Sequence, residues 1–349
     1  QFSGGLGYSE AQKLMLNGSI VHTNFLGTGQ RVALNANSGR FSTFYSLSHT
    51  EPYTTRNGVS RTVGINYRDI TQFTSATSDF STTSYGASLE YGFPITEFQS
   101  LSLGLSYNVS ELLSSTNSTE QAQEWVANNG NPFIVNTEGT SIFFGTEFKT
   151  LELIAGWIYD SRNRALFADR GSRQQLFIGY SLPVGEVEFF TARYNYTKYI
   201  NIYGPFTFRI NAELAYGQAL GETTALPPYK QFYGGGPLNI RGFRESWMGP
   251  RDSFGNPYGG NVLVASQLEL IIPVPERFRN SARASLFFDA GNVFNTGEVS
   301  FTDKLGSPVE YKPDFDELRS SVGIGAVSYT HLTLPTICFK CGCRGGGGG

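Results

Sequence analysis

The feature that most constrains the fold of this sequence is an extended alternation of apolar and polar residues. In the stretch 206–217 every even position is apolar, beginning with Phe206 and Phe208, and the odd positions include Arg209 and Glu213. A period of two predicts a β-strand with one apolar face. Globular strands cluster near about five or six residues, whereas about ten tilted residues are needed to cross a bilayer. The length of this stretch therefore favours a strand that spans a membrane.

The two faces of such strands carry different chemistry. Charged side chains such as Arg193, Arg209 and Glu213 lie on the polar face, and the apolar faces end in Tyr or Phe. Apolar residues outside, polar residues inside and aromatic girdles are typical of outer-membrane barrels, whose closed sheet pairs every backbone group. We therefore predict an all-β fold, a transmembrane antiparallel β-barrel of the outer-membrane type. A soluble β-sandwich also alternates and is the alternative.

The same pattern recurs along the chain. It predicts about fourteen strands, a number set by the alternation and by the turn residues between stretches. They lie at 1–9, 13–24, 30–39, 40–50, 59–69, 83–93, 99–111, 148–160, 172–182, 187–199, 206–218, 262–272, 281–293 and 317–326.

The connections between these strands differ in length. Those at 94–98 and 183–186 are short, and those at 70–82, 112–147, 219–261 and 294–316 are long. Outer-membrane barrels have short periplasmic turns and long external loops, so both short turns are expected at one end. Within 112–147, Ser118 and Gln121 have capping-box spacing and predict a short surface helix over 118–127, with a solvated loop as the alternative.

Composition excludes several classes of function. The chain has 26 basic and 29 acidic residues, which gives no electrostatic footprint for nucleic acid. It has no apolar run of about eighteen residues that would form a transmembrane helix. Motifs of hydrolases, zinc proteases and nucleotide-binding loops are absent, and His22 and His49 have no nucleophile at a catalytic spacing. We predict that the chain is not an enzyme and uses no cofactor.

The end of the sequence differs from the rest. All three cysteines, Cys338, Cys341 and Cys343, lie there, followed by a run of glycines. Their spacing lacks a convincing fourth ligand beyond His331, so no metal site is predicted. The stretch VSYTHLTLPT at 327–336 resembles the translation of a sequencing adapter. We therefore expect a barrel domain at 1–326, incomplete at both ends of the full protein, and a non-native tail at 327–349.

One long connection contains a segment that neither a strand nor an ordinary turn explains. Gly234, Gly235 and Gly236 precede Pro237 and give the backbone conformations that are closed to other residues. This hinge presents a compact tip, in which a charge lies beside an aromatic ring. The tip consists of Ile240, Arg241, Gly242 and Phe243.

These residues carry a resemblance to a known family. The IRGF tip after FYGGG, FLGTG at 25–29, YGFPI at 91–95, DRGSR at 169–173 and LELIIPVP at 268–275 are similar to the barrel domain of the BamA family of outer-membrane assembly factors. The family motif begins with Val, where this chain has Ile240. The resemblance covers 1–326 and implies a family barrel of about sixteen strands, of which about fourteen are present here.

The resemblance also implies partners for the loop arginine. In the family the motif arginine pairs with acidic residues on the barrel wall, and the matching positions here are Glu269 and Asp289. Every second residue of a strand faces the same side of the sheet, and this strand parity (even or odd position) places both carboxylates on the inward face. A guanidinium can bridge two carboxylates, so Arg241 is expected to hold the loop 219–261 inside the lumen. The alternative is that both carboxylates are hydrated lumen charges of little energetic weight.

The function that the resemblance implies is insertion and folding of β-barrel proteins in the outer membrane of a Gram-negative bacterium. Its expected partners are outer-membrane lipids, unfolded barrel proteins as substrates and accessory periplasmic lipoproteins, but no nucleic acid. Gly4, Gly5 and Gly7 weaken the ladder of the first strand and suggest a seam that can open. The alternatives are a protein-translocating pore of the same superfamily and a diffusion porin.

Overall fold

The chain folds as one long antiparallel sheet. The computed structural model describes residues 2–9, 13–39, 42–73, 79–137, 141–165, 167–237, 239–275, 282–296, 300–302, 308–310, 317–328 and 337–339. Among these residues the strands are β1 Phe2–Ser9, β2 Lys13–His22, β3 Arg31–Ser38, β4 Ser42–Glu51, β5 Ser60–Phe73, β6 Asp79–Thr96, β7 Gln99–Ser115, β8 Asn131–Thr137, β9 Ser141–Asp160, β10 Gly171–Ser181, β11 Glu188–Tyr203, β12 Phe206–Leu220, β13 Val262–Ile272, β14 Ala282–Phe294, β15 Ser300–Thr302, β16 Pro308–Glu310, β17 Arg319–Ser328 and β18 Ile337–Phe339.

The strand order of the sheet follows the sequence. Neighbours run from β1 to β7, then β9 to β14, then β17 and β18, while β8 pairs with β9. Strands β15 and β16 form a separate pair. Each of the predicted strands overlaps one of these strands, which confirms the all-β antiparallel class and its outer-membrane type. Among the described residues, no helix is both long enough and apolar enough to cross a membrane.

Contacts divide the chain into two compact units. Unit 1 comprises 1–157, 177–191 and 217–230, and unit 2 comprises 158–176, 192–216 and 231–349. The buried cluster of unit 1 surrounds helix α1, Glu120–Asn128, and includes Trp125, Phe148 and Phe189. That of unit 2 lies on β13 and β14 and includes Ile240, Leu263 and Val293. Each unit is thus stabilised by a cluster that a connection between strands packs against the sheet.

Along β13 and β14, side chains alternate between the two faces of the sheet as the even and odd positions of the sequence predict. Leu286 and Phe288 are 45% and 46% exposed, whereas Phe287 and Asp289 between them are 2% and 0% exposed. Buried residues also alternate with half-buried ones over the whole of β13. We call the face of β13 and β14 that carries Phe287 and Asp289 the inner face. The opposite face is apolar, as a lipid-facing surface requires.

The helix predicted in the connection 112–147 is present but has a different N-cap. Its N-cap is Thr119, whose side chain accepts a hydrogen bond from the Ala122 amide, and not Ser118. One face of the helix is buried and carries Gln121, Ala122, Trp125 and Val126, while Glu124, Ala127 and Asn128 are exposed, as in an amphipathic surface helix. The same connection contains β8, which was not predicted because Pro132 lies within a short apolar run and proline argues against a strand.

The expectation that both short turns share one end of the barrel was wrong. Glu186 accepts hydrogen bonds from the Lys149 amide and from Asn131 Nδ2, both at 2.9 Å, so the turn after β10 lies beside the β8–β9 pair. Connections in an antiparallel sheet alternate between its ends. The turn after β10 is the third connection beyond the turn after β6, which places the two turns at opposite ends.

The segment predicted to be a non-native tail is described only in part. Residues 327 and 328 end β17, and Ile337–Phe339 pair with Val322, Gly323 and Ile324 of that strand. The remaining tail residues, including His331, Cys341 and Cys343, lie outside the described residues. Within the described part of the chain no three His, Cys, Asp or Glu residues cluster as a metal site would require.

Candidate functional site

The long connection between β12 and β13 forms the candidate site, and its second part belongs to unit 2. Phe232 and Gly260 exchange backbone hydrogen bonds of 2.8 and 3.0 Å, and Met248 donates to Gly234 at 3.1 Å. Gly235 has φ 98°, and a Cβ there would lie 2.3 Å from the Arg244 carbonyl oxygen. Only glycine fits such a close approach with a left-handed backbone. The predicted hinge is therefore a tightly packed fold-back of the chain.

Ile240 anchors the tip of the loop in the apolar cluster of unit 2. It is fully buried and packs with Leu263, Ala265 and Val293. A Cβ on Gly291 would lie 2.9 Å from Ile240 Cδ1, so the glycine of β14 leaves the space that this side chain fills. Phe243 packs against the same cluster. The two apolar residues of the tip therefore hold Arg241 between them at the inner face.

Arg241 binds Asp289 through three donors. Its Nε and Nη2 donate to the two carboxylate oxygens at 2.7 Å each, and its backbone amide donates to Oδ2 at 3.0 Å. Asp289 is 0% exposed. Two parallel N–H···O bonds between a guanidinium and a carboxylate are the strong, geometrically specific form of this pair. Asp289 thus fixes both the side chain and the backbone of the loop tip.

Glu269 binds the same guanidinium from the neighbouring strand. Arg241 Nη1 donates to Glu269 Oε1 at 2.5 Å, and Arg209 Nη1 donates to Oε2 at 3.0 Å. Arg209 is the register partner of Glu269 across β12 and β13. Burial lowers the pKa of Arg241, but the bonds to Asp289 and the charge of Glu269 outweigh it and raise the pKa above its ordinary value. Two arginines and two carboxylates therefore balance in charge.

Three further contacts complete the site and were not foreseen from the sequence. The Arg241 Cζ lies 3.8 Å from the centroid of the Phe287 ring, within the range of a cation–π contact. Ser321 Oγ donates to the Arg241 carbonyl oxygen at 2.5 Å. Asn239 Oδ1 accepts from the Gly235 and Ile240 amides at 3.1 and 2.9 Å. The alternation of the strands marks Phe287 and Ser321 as inward, but nothing in the sequence pairs either of them with Arg241, and nothing marks Asn239.

The first part of the same connection is anchored separately in unit 1. Trp125 Nε1 of α1 donates to the Ala225 carbonyl at 2.9 Å. Asn129 Nδ2 donates to Thr224 Oγ1 at 2.7 Å, and the Thr224 amide donates back to Asn129 Oδ1 at 3.0 Å. Lys230 Nζ lies 2.9 Å from Glu152 Oε2 and 4.7 Å from the Phe189 ring centroid. Helix α1 therefore acts as an anchor for the loop.

The glycines predicted to weaken a seam lie in unit 1. Gly4, Gly5 and Gly7 pair with Gly18, Asn17 and Met15, and β1 is paired with β2 along its whole length. Gly5 has open space where a Cβ would be, so no close contact requires glycine there. Glycine at this position lowers the packing of the strand without serving a turn.

These features define a class of protein. Long antiparallel strands with an apolar outer face, together with a loop bound to charged residues of the inner face, make the chain an integral outer-membrane β-barrel. A family model described as the Omp85 superfamily domain matches residues 24–331. Because this match covers most of the 349 residues, the chain belongs to the Omp85 superfamily.

Relatives agree with this assignment. The chain is 29% identical to "Outer membrane protein assembly factor BamA" of Neisseria meningitidis serogroup B, over 93% of this chain and 42% of that protein. It is 27% identical to the mouse "Sorting and assembly machinery component 50 homolog", over 93% of this chain and 65% of that protein. The crystal structure of BamA from Haemophilus ducreyi lacking POTRA domains 1-3 matches with a TM-score of 0.82 and 28% identity, over 95% of this chain and 64% of that one.

The chain spans less than two thirds of each of these relatives, at 42%, 65% and 64% of their lengths. Its resemblance to the barrel domain of the BamA family is confirmed by the family match and by the structural match. The outer membrane of a Gram-negative bacterium is its location.

Proposed function

We propose that this chain is the membrane barrel of a machinery that inserts and folds β-barrel proteins in the outer membrane. Its substrates are unfolded barrel proteins, its surroundings are outer-membrane lipids, and accessory periplasmic lipoproteins assist it. The role is mechanical and not enzymatic. Two relatives support this proposal, one named as an outer membrane protein assembly factor and one as a homolog of a sorting and assembly machinery component, because each matches 93% of the chain.

The observation that carries the proposal is the binding of Arg241 to Asp289 and Glu269. A porin needs an open interior for diffusion, whereas here a loop of unit 2 is bound to the inner face by buried charges. Removing one partner of a buried ion pair is strongly destabilising, so the bound loop is a defined state of the barrel. We propose that this state shapes the interior against which substrate strands fold.

A second element of the proposal is the edge at which a substrate strand pairs. Substrate insertion by strand addition requires an edge that can open. The glycines Gly4, Gly5 and Gly7 of β1 make that strand the weaker candidate edge of the barrel. Replacing Gly5 with Val, a better strand former with room for its side chain, is expected to slow insertion.

The function is tested by reconstituting the chain in liposomes and adding a urea-unfolded outer-membrane barrel protein. Folding is followed by the shift in gel mobility of the unheated substrate. We expect faster folding than in empty liposomes, and slower folding with Arg241→Ala. Arg173→Ala is the matched control, because Arg173 is a half-exposed arginine whose partner is Asp160.

Two results would overturn the proposal. Strong ion conductance without any acceleration of folding would favour a diffusion porin. Release of a passenger protein across the membrane, with no membrane insertion, would favour a translocating pore.

A further inference from the structure

A second connection folds onto the interior of unit 2. The described residues 161–165 and 167–170, which we call the β9–β10 segment, form a compact structure with its own hydrogen bonds. The Ser161 amide donates to the Ser172 carbonyl at 2.8 Å, and the Asn163 amide donates to the Arg170 carbonyl at 3.2 Å. Asn163 Nδ2 also donates to Asp169 Oδ1 at 2.8 Å. The segment is therefore an ordered element of the fold.

The tip of this segment holds a strained conformation. Phe167 has φ 55°, a left-handed backbone that costs energy for any residue with a bulky side chain. Ala168 beside it is 1% exposed. Such strain persists only where the surrounding contacts fix it, and such residues concentrate at functional sites. The contacts that fix Phe167 and Ala168 therefore identify what holds the segment in place.

Arg283 of β14 makes these contacts. Its Nη2 donates to the Ala168 carbonyl at 2.9 Å. Its Cζ lies 5.3 Å from the Phe167 ring centroid and 5.8 Å from that of Tyr199. In the part of the chain that the structure describes, no carboxylate forms an ion pair with Arg283. Its charge is directed instead at a backbone carbonyl and two aromatic faces.

Strand β14 thus binds two inward segments. Arg283 and Asp289 lie six residues apart on the same face of β14. At about 3.3 Å per residue their attachments are about 20 Å apart along the strand. The β9–β10 segment is bound near the beginning of β14, and the loop tip at Arg241 is bound toward its other end. The two segments therefore cover different parts of the inner face.

We propose that the β9–β10 segment is a second internal barrier of the barrel, and that Arg283 is the residue that positions it. Its release opens the interior at the end where β14 begins, without releasing the loop tip at Arg241. Sites about 10 Å or more apart with no shared partner act almost independently. This inference goes beyond the proposed function, since it concerns the interior of the barrel in the absence of any substrate.

The test compares Arg283→Ala, Arg283→Lys and Arg241→Ala by hydrogen–deuterium exchange and by conductance in planar bilayers. Folding of each variant is checked first by its gel mobility before and after heating. Arg283→Ala is expected to speed exchange of the Ser161 and Asn163 amides about tenfold, the effect of losing one hydrogen bond from a charged donor. Conductance should rise as well. Arg283→Lys should lie between Arg283→Ala and the parent chain.

The control is the variant Arg241→Ala, which removes the attachment of the loop tip to β14. Arg241→Ala should speed exchange of the Phe232 and Met248 amides and leave Ser161 and Asn163 unchanged. If Arg283→Ala does not fold, Phe167→Gly replaces it, because glycine accepts the left-handed backbone and removes the ring. The proposal is overturned if exchange in 161–170 or conductance is unchanged, or if both segments loosen together in either variant.

Discussion

Arg241 and Arg283 both attach an inward segment to β14. Arg241 lies on the attached segment, whereas Arg283 lies on the strand itself. Arg241 belongs to the loop and meets two wall carboxylates, with Asp289 0% exposed. Arg283 belongs to the wall and meets a backbone carbonyl and two rings of unit 2. One attachment pairs full charges in a buried site, and the other directs a single charge at dipoles.

This difference sets how firmly each segment is held. Breaking a buried ion pair leaves an uncompensated charge and costs about 3–5 kcal/mol. Losing a hydrogen bond from a charged donor to a neutral acceptor costs about 1.5–3 kcal/mol. The loop tip is therefore expected to be released rarely, and the β9–β10 segment more readily. Three substitutions rank the contributions within the stronger attachment.

The largest effect is expected from Asp289→Asn, which preserves size and removes the charge. Arg241 then loses its bidentate acceptor in a buried site, at a cost of about 3–5 kcal/mol. The Phe232 and Met248 amides should exchange with deuterium roughly a hundredfold faster or more. Asp160→Asn is the matched control, because Asp160 is a part-exposed carboxylate whose partners are Arg162 and Arg173. Equal exchange in both variants would mean that the loss of the Asp289 charge has no effect specific to the attachment of Arg241.

A smaller effect is expected from Glu269→Gln. Asp289 still binds Arg241 through both carboxylate oxygens, and the Gln oxygen still accepts from one arginine. A loss of about 1–3 kcal/mol in loop attachment is expected, the range for removing one charged hydrogen-bond partner. A double-mutant cycle with Arg209→Gln measures how much of this loss passes through Arg209. An effect larger than that of Asp289→Asn would reverse the assigned order.

The smallest effect is expected from Phe287→Leu. Leu keeps the inward side chain apolar and removes the ring under Arg241, whose Cζ is 3.8 Å from the ring centroid. The cation–π contribution lost is about 0.5–2 kcal/mol. Exchange of the Met248 amide measures it, with Phe288→Leu on the exposed face as the control. No change in exchange would mean that the ring serves packing alone.

Sequence alone predicts well which strand residues face the interior of this barrel, because the alternation of apolar and polar residues can be read within each strand. The even and odd positions of β13 and β14 fix which side chains face inward, and Glu269 and Asp289 lie on that face. Arg209 could have been found in the same way, since it is inward on β12 and lies opposite Glu269 once the register is known. The register depends on loop lengths, which parity does not supply.

The connections are less predictable because tertiary contacts decide them. Helix α1 carries a capping signal at Ser118, but Thr119 caps it, and its burial depends on residues of another connection. The position of the β9–β10 segment depends on Arg283, whose sequence context is that of any inward arginine. The seam at Gly4, Gly5 and Gly7 and the non-native origin of 327–349 stay predictions. Sequencing the unamplified gene beyond the codon for Ala326 tests the origin of the tail.

The anchor provided by helix α1 has a consequence for the order of folding. Trp125 and Ala225 are separated by 100 residues along the chain, and Asn129 and Thr224 by 95. Contacts between such distant residues form late, because ordering the long stretch of chain between them costs conformational entropy before the contacts can stabilise it. During synthesis α1 emerges well before its partners exist. The burial of Trp125 is complete only when the chain beyond β12 docks on α1, so in a variant that lacks Trp157 and Trp247 its fluorescence reports a late step of folding in unit 1.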